Sequence, residues 1–92
     1  MTTVMVIEPD VLVRMTISES LRDCGYCVIE GVSAEDVWAV LKTHTLLQAV
    51  LVDARLRGDT NGFQLASQLR QTRPGLDVIL TSGFADPNAS DG

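Results

Sequence analysis

Four polar residues of this sequence have side chains that could do chemistry, and each lies within three residues after the end of a short apolar run: Glu8, Asp10, Asp53 and Ser82. Clustered carboxylates repel one another unless a cation lies between them. Mg²⁺ suits such a cluster, because it takes oxygen ligands and often carries a phosphate as co-ligand. A carboxylate beside the cation can accept a phosphoryl group. The alternative interpretation is that these acids are solvated loop residues, and spacing alone favours neither.

Four short apolar runs predict buried strands, and three amphipathic stretches between them predict helices. Strands alternating with helices imply right-handed crossovers and a parallel sheet covered on both faces. Ligands of such sheets bind outside the carboxyl ends of the strands, so the polar residues are expected to share one crevice. The predicted strands are residues 4–7, 26–29, 49–52 and 78–80, and the predicted helices are about 11–24, about 33–41 and about 63–72.

The length and charge of the chain exclude several classes of protein. Its 92 residues predict one domain at most, and 46% apolar residues are enough to line a core. The net charge of −5 disfavours direct nucleic-acid binding, because an acidic chain repels phosphates. No apolar stretch approaches the ~18 residues of a membrane span, and the first ten residues lack a basic signal-peptide region. Two cysteines without an export signal predict reduced thiols and a cytoplasmic location.

Several segments together resemble the receiver domains of response regulators. Residues 6–14 (VIEPDVLVR) are similar to the opening acidic segment of that family, and residues 25–30 (GYCVIE) to its second strand. Residues 50–63, with VLVD and GDTNGF, resemble the phosphoacceptor strand and its loop, and residues 78–85 (VILTSGFA) the fourth strand. The resemblance implies an α/β flavodoxin-like receiver fold, with a parallel sheet of strand order 2-1-3-4.

The resemblance also implies a function and a set of site residues. A receiver accepts a phosphoryl group from a sensor histidine kinase or a phosphotransfer protein. Asp53 aligns with the phosphoacceptor, Glu8 with the first acid of the metal pair, and the backbone carbonyl of Arg55 with a main-chain ligand of Mg²⁺. Ser82 aligns with the switch hydroxyl, and Thr81, one residue earlier, is its alternative.

The sequence departs from the family in ways that weaken the expected site. Pro9 stands where the family has its second metal-binding acid, and proline has neither a carboxylate nor an N–H. Asp10 takes that place as a metal ligand only if the loop shifts. Arg57 replaces the usual proline, and Lys42, the only lysine, belongs to the second helix. The chain ends at Gly92, so the family's fifth strand, with its lysine, and its last helices are expected to be missing.

These departures lead to two versions of the function. Residues 1–84 are predicted to form a truncated receiver and residues 85–92 a polar tail. In the first version Asp53 accepts a phosphoryl group with weakened chemistry, and in the second the chain is a degenerate receiver that acts only through protein–protein contacts. An exposed fourth-strand edge predicts self-association. The chain is not expected to be an enzyme; a flavodoxin-like redox protein is disfavoured, because the loop after the first strand is acidic and lacks glycine.

Other residues are assigned structural roles. Cys24 and Cys27 form a C-x-x-C at the end of a predicted helix, whereas redox pairs usually lie at a helix N-terminus. Cys24 is therefore expected in the core and Cys27 on a strand. By its spacing, Phe63 belongs to the apolar stripe of the third helix. Trp38 lies on the second helix and is expected to be a packing residue, and His44 is expected to lie in a surface loop.

Overall fold

A computed structural model describes residues 1–81 of the chain. Four parallel strands alternate with three helices in these residues, and the sheet order β2-β1-β3-β4 confirms the predicted order. Ser82 and the predicted tail, residues 85–92, lie outside the described residues. The strands are β1 (Thr3–Ile7), β2 (Cys27–Gly31), β3 (Ala49–Asp53) and β4 (Asp77–Thr81), and the helices are α1 (Val11–Asp23), α2 (Ala34–Lys42) and α3 (Gly62–Thr72).

The register of the sheet brings the carboxyl ends of its strands to one edge. Ile7 at the end of β1 pairs with Val52 of β3, and Asp53 at the end of β3 pairs with Thr81 of β4. The residue after β1, Glu8, extends the pairing with β2 through a hydrogen bond from its N–H to the Gly31 carbonyl (3.1 Å). The predicted polar residues among those described therefore follow neighbouring strand ends.

Each face of the sheet carries its own apolar cluster, because successive side chains of a strand alternate between the two faces. The larger cluster lies under α2 and α3, and the smaller lies under α1, which packs on β1 and β2. The larger cluster is centred on Met5, Ile7, Val50, Val52, Leu65 and Leu69, and the smaller consists of Val4, Val6 and Val28 with Ile17, Leu21 and Ala49 packed against it.

Two of the expected core positions are wrong, and both lie at helix ends. Phe63 is 63% exposed, because it is the second residue of α3 and lies outside the buried cluster that the later turns of α3 contact. Cys24 is exposed, since it is the C-cap of α1, where the chain turns away through Gly25 at a φ of +95°. Cys27 lies on β2 as expected, and Trp38 packs against the larger cluster.

Ser18 of α1 is completely buried, and its hydroxyl has no hydrogen-bond partner among the described residues. A buried hydroxyl without a partner is destabilising, and alanine has a higher helix propensity than serine. We expect Ser18→Ala to raise the free energy of unfolding by about 1 kcal/mol in urea denaturation. Ser20→Ala is the matched control, because Ser20 lies on the same helix but is exposed. A loss of stability in Ser18→Ala would contradict the unpaired hydroxyl.

No helix within residues 1–81 is long and apolar enough to cross a membrane.

Candidate functional site

Two buried carboxylates lie at the centre of the site. Glu8 follows β1 and Asp53 ends β3, and these two strands are neighbours in the sheet. Each residue is only 3% exposed, although acidic residues are almost never buried unless something compensates their charge. The structure therefore brings together two of the acids that the sequence predicted for one crevice.

The Glu8 side chain has one satisfied and one unsatisfied oxygen. Its Oε2 accepts a hydrogen bond from the Asp10 N–H at 2.8 Å. Its Oε1 is buried and has no partner among the described residues. An unpaired buried carboxylate oxygen is costly, so Oε1 marks the point where a donor or a cation fits.

The surroundings of Glu8 raise the pKa of its carboxyl above the ordinary value. Burial is the largest cause, because it removes water from the charged form. The neighbouring Asp53 raises this pKa further, whereas the Asp10 N–H and the Arg55 guanidinium lower it. The acid pair therefore resists carrying two negative charges at once, which is the electrostatic condition that a cation relieves.

The Asp53 carboxylate is held by the residue two positions later. Its Oδ1 accepts a hydrogen bond from the Arg55 N–H at 2.9 Å and lies 3.5 Å from Arg55 Nε. The Leu56 N–H donates to the Asp53 main-chain oxygen at 3.0 Å, which closes a tight turn after β3. The Arg55 side chain is 52% exposed, so its guanidinium reaches the pair from the solvent side.

The loop between β1 and α1 uses Asp10 as the N-cap of α1. Its Oδ1 accepts hydrogen bonds from the N–H groups of Leu12 (2.9 Å) and Val13 (3.2 Å). This is the usual role of aspartate at the start of a helix. Asp10 is exposed, unlike Glu8, and its assignment as a metal ligand stays a prediction. Pro9 between them is also exposed and brings no carboxylate to the site.

Thr81 is the described hydroxyl residue beside the acid pair. It pairs in register with Asp53, so both side chains lie on the same face of the sheet. Its main-chain oxygen accepts a hydrogen bond from the Ala54 N–H at 2.7 Å. The predicted switch residue Ser82 lies outside the described residues, so the choice between the two hydroxyls stays a prediction.

Two further basic residues singled out in the sequence, Lys42 and Arg57, do not contact the acid pair. Lys42 is the last residue of α2, which ends at the opposite edge of the sheet from the strand ends that carry the acids. Arg57 is exposed in the loop after β3. Among the cations of residues 1–81, only the Arg55 guanidinium lies within ion-pair distance of a carboxylate of the pair.

Two residues that shape the site were not predicted from the sequence. Gly62, the first residue of α3, lies against the turn after Asp53: a Cβ atom there would overlap the Asp53 main-chain oxygen and lie 3.0 Å from Ala54 Cα. Arg14 of α1 donates from Nη1 to the Glu8 main-chain oxygen at 2.9 Å. The sequence signals that could have identified them are a glycine at the start of a helix and an arginine on the helix after an acidic loop.

The donor set fits a small divalent cation only in part. No group of three or more His, Cys, Asp or Glu side chains is arranged to hold a metal ion in residues 1–81. Mg²⁺, however, commonly uses one or two carboxylates and keeps several waters. Glu8, with its unpaired Oε1, and Asp53 provide that pair, so the residues present fit Mg²⁺ better than a metal that requires a complete protein cage.

The parallel four-stranded sheet, with two buried acids at neighbouring strand ends, is the architecture of a flavodoxin-like receiver domain. Residues 4–91 match the sequence profile of the family described as "Response regulator receiver domain". The chain belongs to this family. No curated protein gives a significant match to the sequence.

Solved receiver domains have the same fold, which confirms the predicted flavodoxin-like class. The MaeR response regulator bound to beryllium trifluoride is 28% identical, with a TM-score of 0.80 over 99% of this chain and 75% of its own. A putative response regulator from Chloroflexus aurantiacus J-10-fl is 25% identical, with a TM-score of 0.79 over 96% and 72%. A CheY-like receiver domain protein from Methanospirillum hungatei JF-1 is 22% identical, with a TM-score of 0.80 over 99% and 71%.

Proposed function

We propose that this chain is a receiver module that accepts a phosphoryl group on Asp53 from a sensor histidine kinase or a phosphotransfer protein. The observation that carries the proposal is the buried pair of Glu8 and Asp53, in which Glu8 Oε1 has no partner within residues 1–81. A fold that served only for packing would gain by replacing such a pair with apolar residues. The module acts in the cytoplasm and is itself not an enzyme.

The phosphoryl transfer uses a carboxylate oxygen of Asp53 as the nucleophile. Because Oδ1 is engaged by the Arg55 N–H, we assign the attack to Oδ2. A bond forms between this oxygen and phosphorus, while the bond from phosphorus to the donor histidine nitrogen breaks. The electron pair of that bond stays on the imidazole, which takes up a proton as it leaves. The half-exposed Arg55 guanidinium is placed to offset the added negative charge.

Mg²⁺ would be held by the carboxylates of Glu8 and Asp53 and, as the family resemblance implies, by the Arg55 main-chain carbonyl. When bound, it neutralises charge on the transferring phosphoryl group. Pro9 removes one family carboxylate from this set. Loss of a single electrostatic contact at a reacting centre commonly costs about 10²–10³-fold in rate. We therefore expect phosphorylation that is slow compared with receivers that have a complete acid set.

The direct test is the intact mass of the protein after incubation with acetyl phosphate and Mg²⁺. We expect one phosphoryl adduct on the wild-type chain and none on Asp53→Asn, which keeps the shape of the side chain but removes the nucleophilic charge. Beryllium fluoride, which was captured on the MaeR regulator, is a second probe of the same carboxylate. An adduct on both proteins would contradict the assignment of Asp53.

The degenerate receiver is the second candidate, and the same measurement separates it from the first. Two features favour it: Pro9 in place of an acid, and the Asp10 carboxylate oxygen that caps α1. No adduct on the wild-type chain, with either a small phosphodonor or a phosphorylated kinase, would support a module that works through protein contacts alone.

We further propose that the chain self-associates through β4. In residues 1–81 this strand pairs only with β3, and Ile79, which shares a sheet face with Leu51, is 49% exposed. A groove of about 350 Å³ lies beside it, with Tyr26 in its lining. Arg70 Nη2 already donates to a β4 carbonyl at 3.1 Å, so we expect the apolar face to contribute more than backbone pairing.

A charged residue in place of Ile79 should weaken this association. We expect Ile79→Lys to sediment as a monomer at micromolar concentrations at which the wild-type chain forms a larger species, because the ammonium must stay hydrated. Val32→Lys is the matched control, since Val32 is also 49% exposed but lies after β2. A wild-type chain that is monomeric in analytical ultracentrifugation would contradict the proposal.

A further inference from the structure

The guanidinium of Arg14 connects the candidate site to the neighbouring edge strand. Its Nη1 donates to the Glu8 main-chain oxygen at 2.9 Å, and its Nε lies 3.2 Å from Glu30 Oε1 on β2. The Arg14 side chain is 16% exposed and that of Glu30 27%, so solvent screens this ion pair only partly. One side chain of α1 thus joins the residue that follows β1 to a carboxylate on β2.

Arg14 contacts the Glu8 carbonyl at the point where the hydrogen-bond pairing between β1 and β2 ends. The ladder between β1 and β2 ends when the Glu8 N–H donates to the Gly31 carbonyl. The next residue is Pro9, which has no N–H to continue any pairing. A charged donor on the Glu8 carbonyl therefore supplies the main-chain partner at the bend that leads into α1.

Glu8 is consequently fixed through three of its four polar atoms. Its N–H is bound by Gly31, its main-chain oxygen by Arg14, and its Oε2 by the Asp10 N–H. Of these four atoms, only Oε1 has no partner in the described part of the chain. An acid held in this way loses little further freedom when its last oxygen binds a ligand, which is the energetic advantage of a preorganised site.

We propose that Arg14 is a positioning residue of the site: it holds the Glu8 main chain so that Oε1 is presented to the ligand shared with Asp53, and Glu30 orients Arg14 for this task. The expected effect on ligand binding rests on the proposed function. The restraint on Glu8, in contrast, is a property of the chain without any ligand. Residues that orient metal ligands commonly change metal affinity by 10–100-fold when they are removed.

Arg22 provides a matched control in the same ionic network. Its Nη2 lies 3.2 Å from Glu30 Oε2 and donates to the Val28 carbonyl at 3.1 Å, but it makes no contact with Glu8. Arg22→Ala therefore removes one positive charge and one ion pair with the same carboxylate. The difference between Arg14→Ala and Arg22→Ala isolates the contribution of the contact with the Glu8 carbonyl.

The first measurement is amide hydrogen exchange of the Asp10 N–H, which donates to Glu8 Oε2. We expect this amide to exchange about tenfold faster in Arg14→Ala, relative to core amides of β3, and to be nearly unchanged in Arg22→Ala. Equal exchange in the two variants would overturn the proposal, whether or not the protein binds Mg²⁺. If Arg14→Ala does not fold, Arg14→Lys replaces it, because one ammonium reaches the carbonyl or Glu30 but does not span both; the same direction with a smaller change is expected.

The second measurement is Mg²⁺ binding by titration calorimetry. We expect about tenfold weaker binding in Arg14→Ala and wild-type affinity in Arg22→Ala. Faster exchange at Asp10 together with unchanged Mg²⁺ affinity would overturn the positioning role. A wild-type chain that binds no Mg²⁺ and forms no adduct would instead overturn the proposed function, while the exchange comparison still decides whether Arg14 restrains Glu8.

Discussion

Gly62→Ala is expected to lower the free energy of unfolding by about 3 kcal/mol, a large fraction of the stability of a small domain. A Cβ atom at this position would overlap the main-chain oxygen of Asp53 and lie 3.0 Å from Ala54 Cα. Both obstacles are backbone atoms, so no side-chain rotation relieves the overlap. Either α3 or the turn after β3 must move.

The measurement is urea denaturation of Gly62→Ala beside Gly75→Ala. No heavy atom of residues 1–81 lies within 4 Å of the place where a Cβ of Gly75 would be, so this control is expected to change stability by less than about 0.5 kcal/mol. Equal stability of the two variants would show that α3 does not approach Asp53 as closely as the structure has it.

Gly62→Ala should also damage the site beyond its cost in stability, because the strained turn is the one that holds Asp53. Leu69→Ala provides the comparison. It truncates a fully buried side chain and is expected to lower the free energy of unfolding by about 2.7–5.0 kcal/mol. Leu69 lies about 10 Å further along α3 than Gly62. We expect the phosphoryl adduct, where folded protein persists, to form more slowly in Gly62→Ala than in Leu69→Ala. Equal rates at equal folded fractions would mean that α3 supports the fold but not the geometry of Asp53.

The strands and helices could be predicted from the sequence because local patterns determine them. The run 49–52 is apolar and bounded by polar residues, which is typical of a strand buried on both faces, and it forms β3 as expected. Gly25 predicted the end of the first helix, because glycine readily adopts the positive φ that ends helices, and its φ is +95°. The strand order had a different source, since only the family resemblance, and no local pattern, specified that β1 lies between β2 and β3.

Burial at the ends of helices was harder to predict. The apolar period of α3 includes Phe63 as well as Leu65 and Leu69, but a side chain is buried only where another element covers it. The two leucines face the sheet, whereas Phe63 is in the first turn and exposed. Cys24 is exposed for the same reason, because it caps the C-terminal end of α1. Periodicity identifies the face of a helix, and tertiary contacts decide how far along that face burial extends.

The two acids of the candidate site could be predicted from the sequence, but the residues that hold them in place could not. The rule that strand ends meet at one edge predicted one crevice for Glu8 and Asp53, and the strand order implied by the family resemblance made their strands neighbours. The use of Asp10 as a helix cap and the contact of Arg14 with a backbone carbonyl depend on the path of the loop between β1 and α1. That path follows from three-dimensional packing, so side-chain types and spacing alone did not reveal it.

Glu8→Gln is expected to stabilise the metal-free protein at neutral pH by about 1–2 kcal/mol, while removing its response to Mg²⁺. The amide keeps an oxygen for the Asp10 N–H and offers an N–H₂ group toward the carboxylate of Asp53. It thereby removes the repulsion between two buried acids. Glu19→Gln, at an exposed position of α1, is the control for the change in net charge.

The gain in stability should depend on pH in a defined direction. Burial, with Asp53 as a further cause, raises the pKa of Glu8 above 4.5, so the folded state binds its proton more tightly than the unfolded state does. The protonated carboxyl therefore supports the fold below pH 4.5, and this contribution is lost as the pH rises through the folded-state pKa. Urea denaturation should show little advantage for Glu8→Gln below that pH and a growing advantage toward neutrality.

Added Mg²⁺ should reverse the order of the two proteins. A ligand at one hundred times its dissociation constant stabilises the folded state by about 2.7 kcal/mol, and only the wild-type chain keeps both carboxylates for it. A Glu8→Gln variant that is less stable than the wild type in chelator at neutral pH would mean that the Asp10 N–H and the Arg55 guanidinium already compensate the pair. The pair would then need no cation, and the buried acids would support the degenerate receiver over the phosphoryl acceptor.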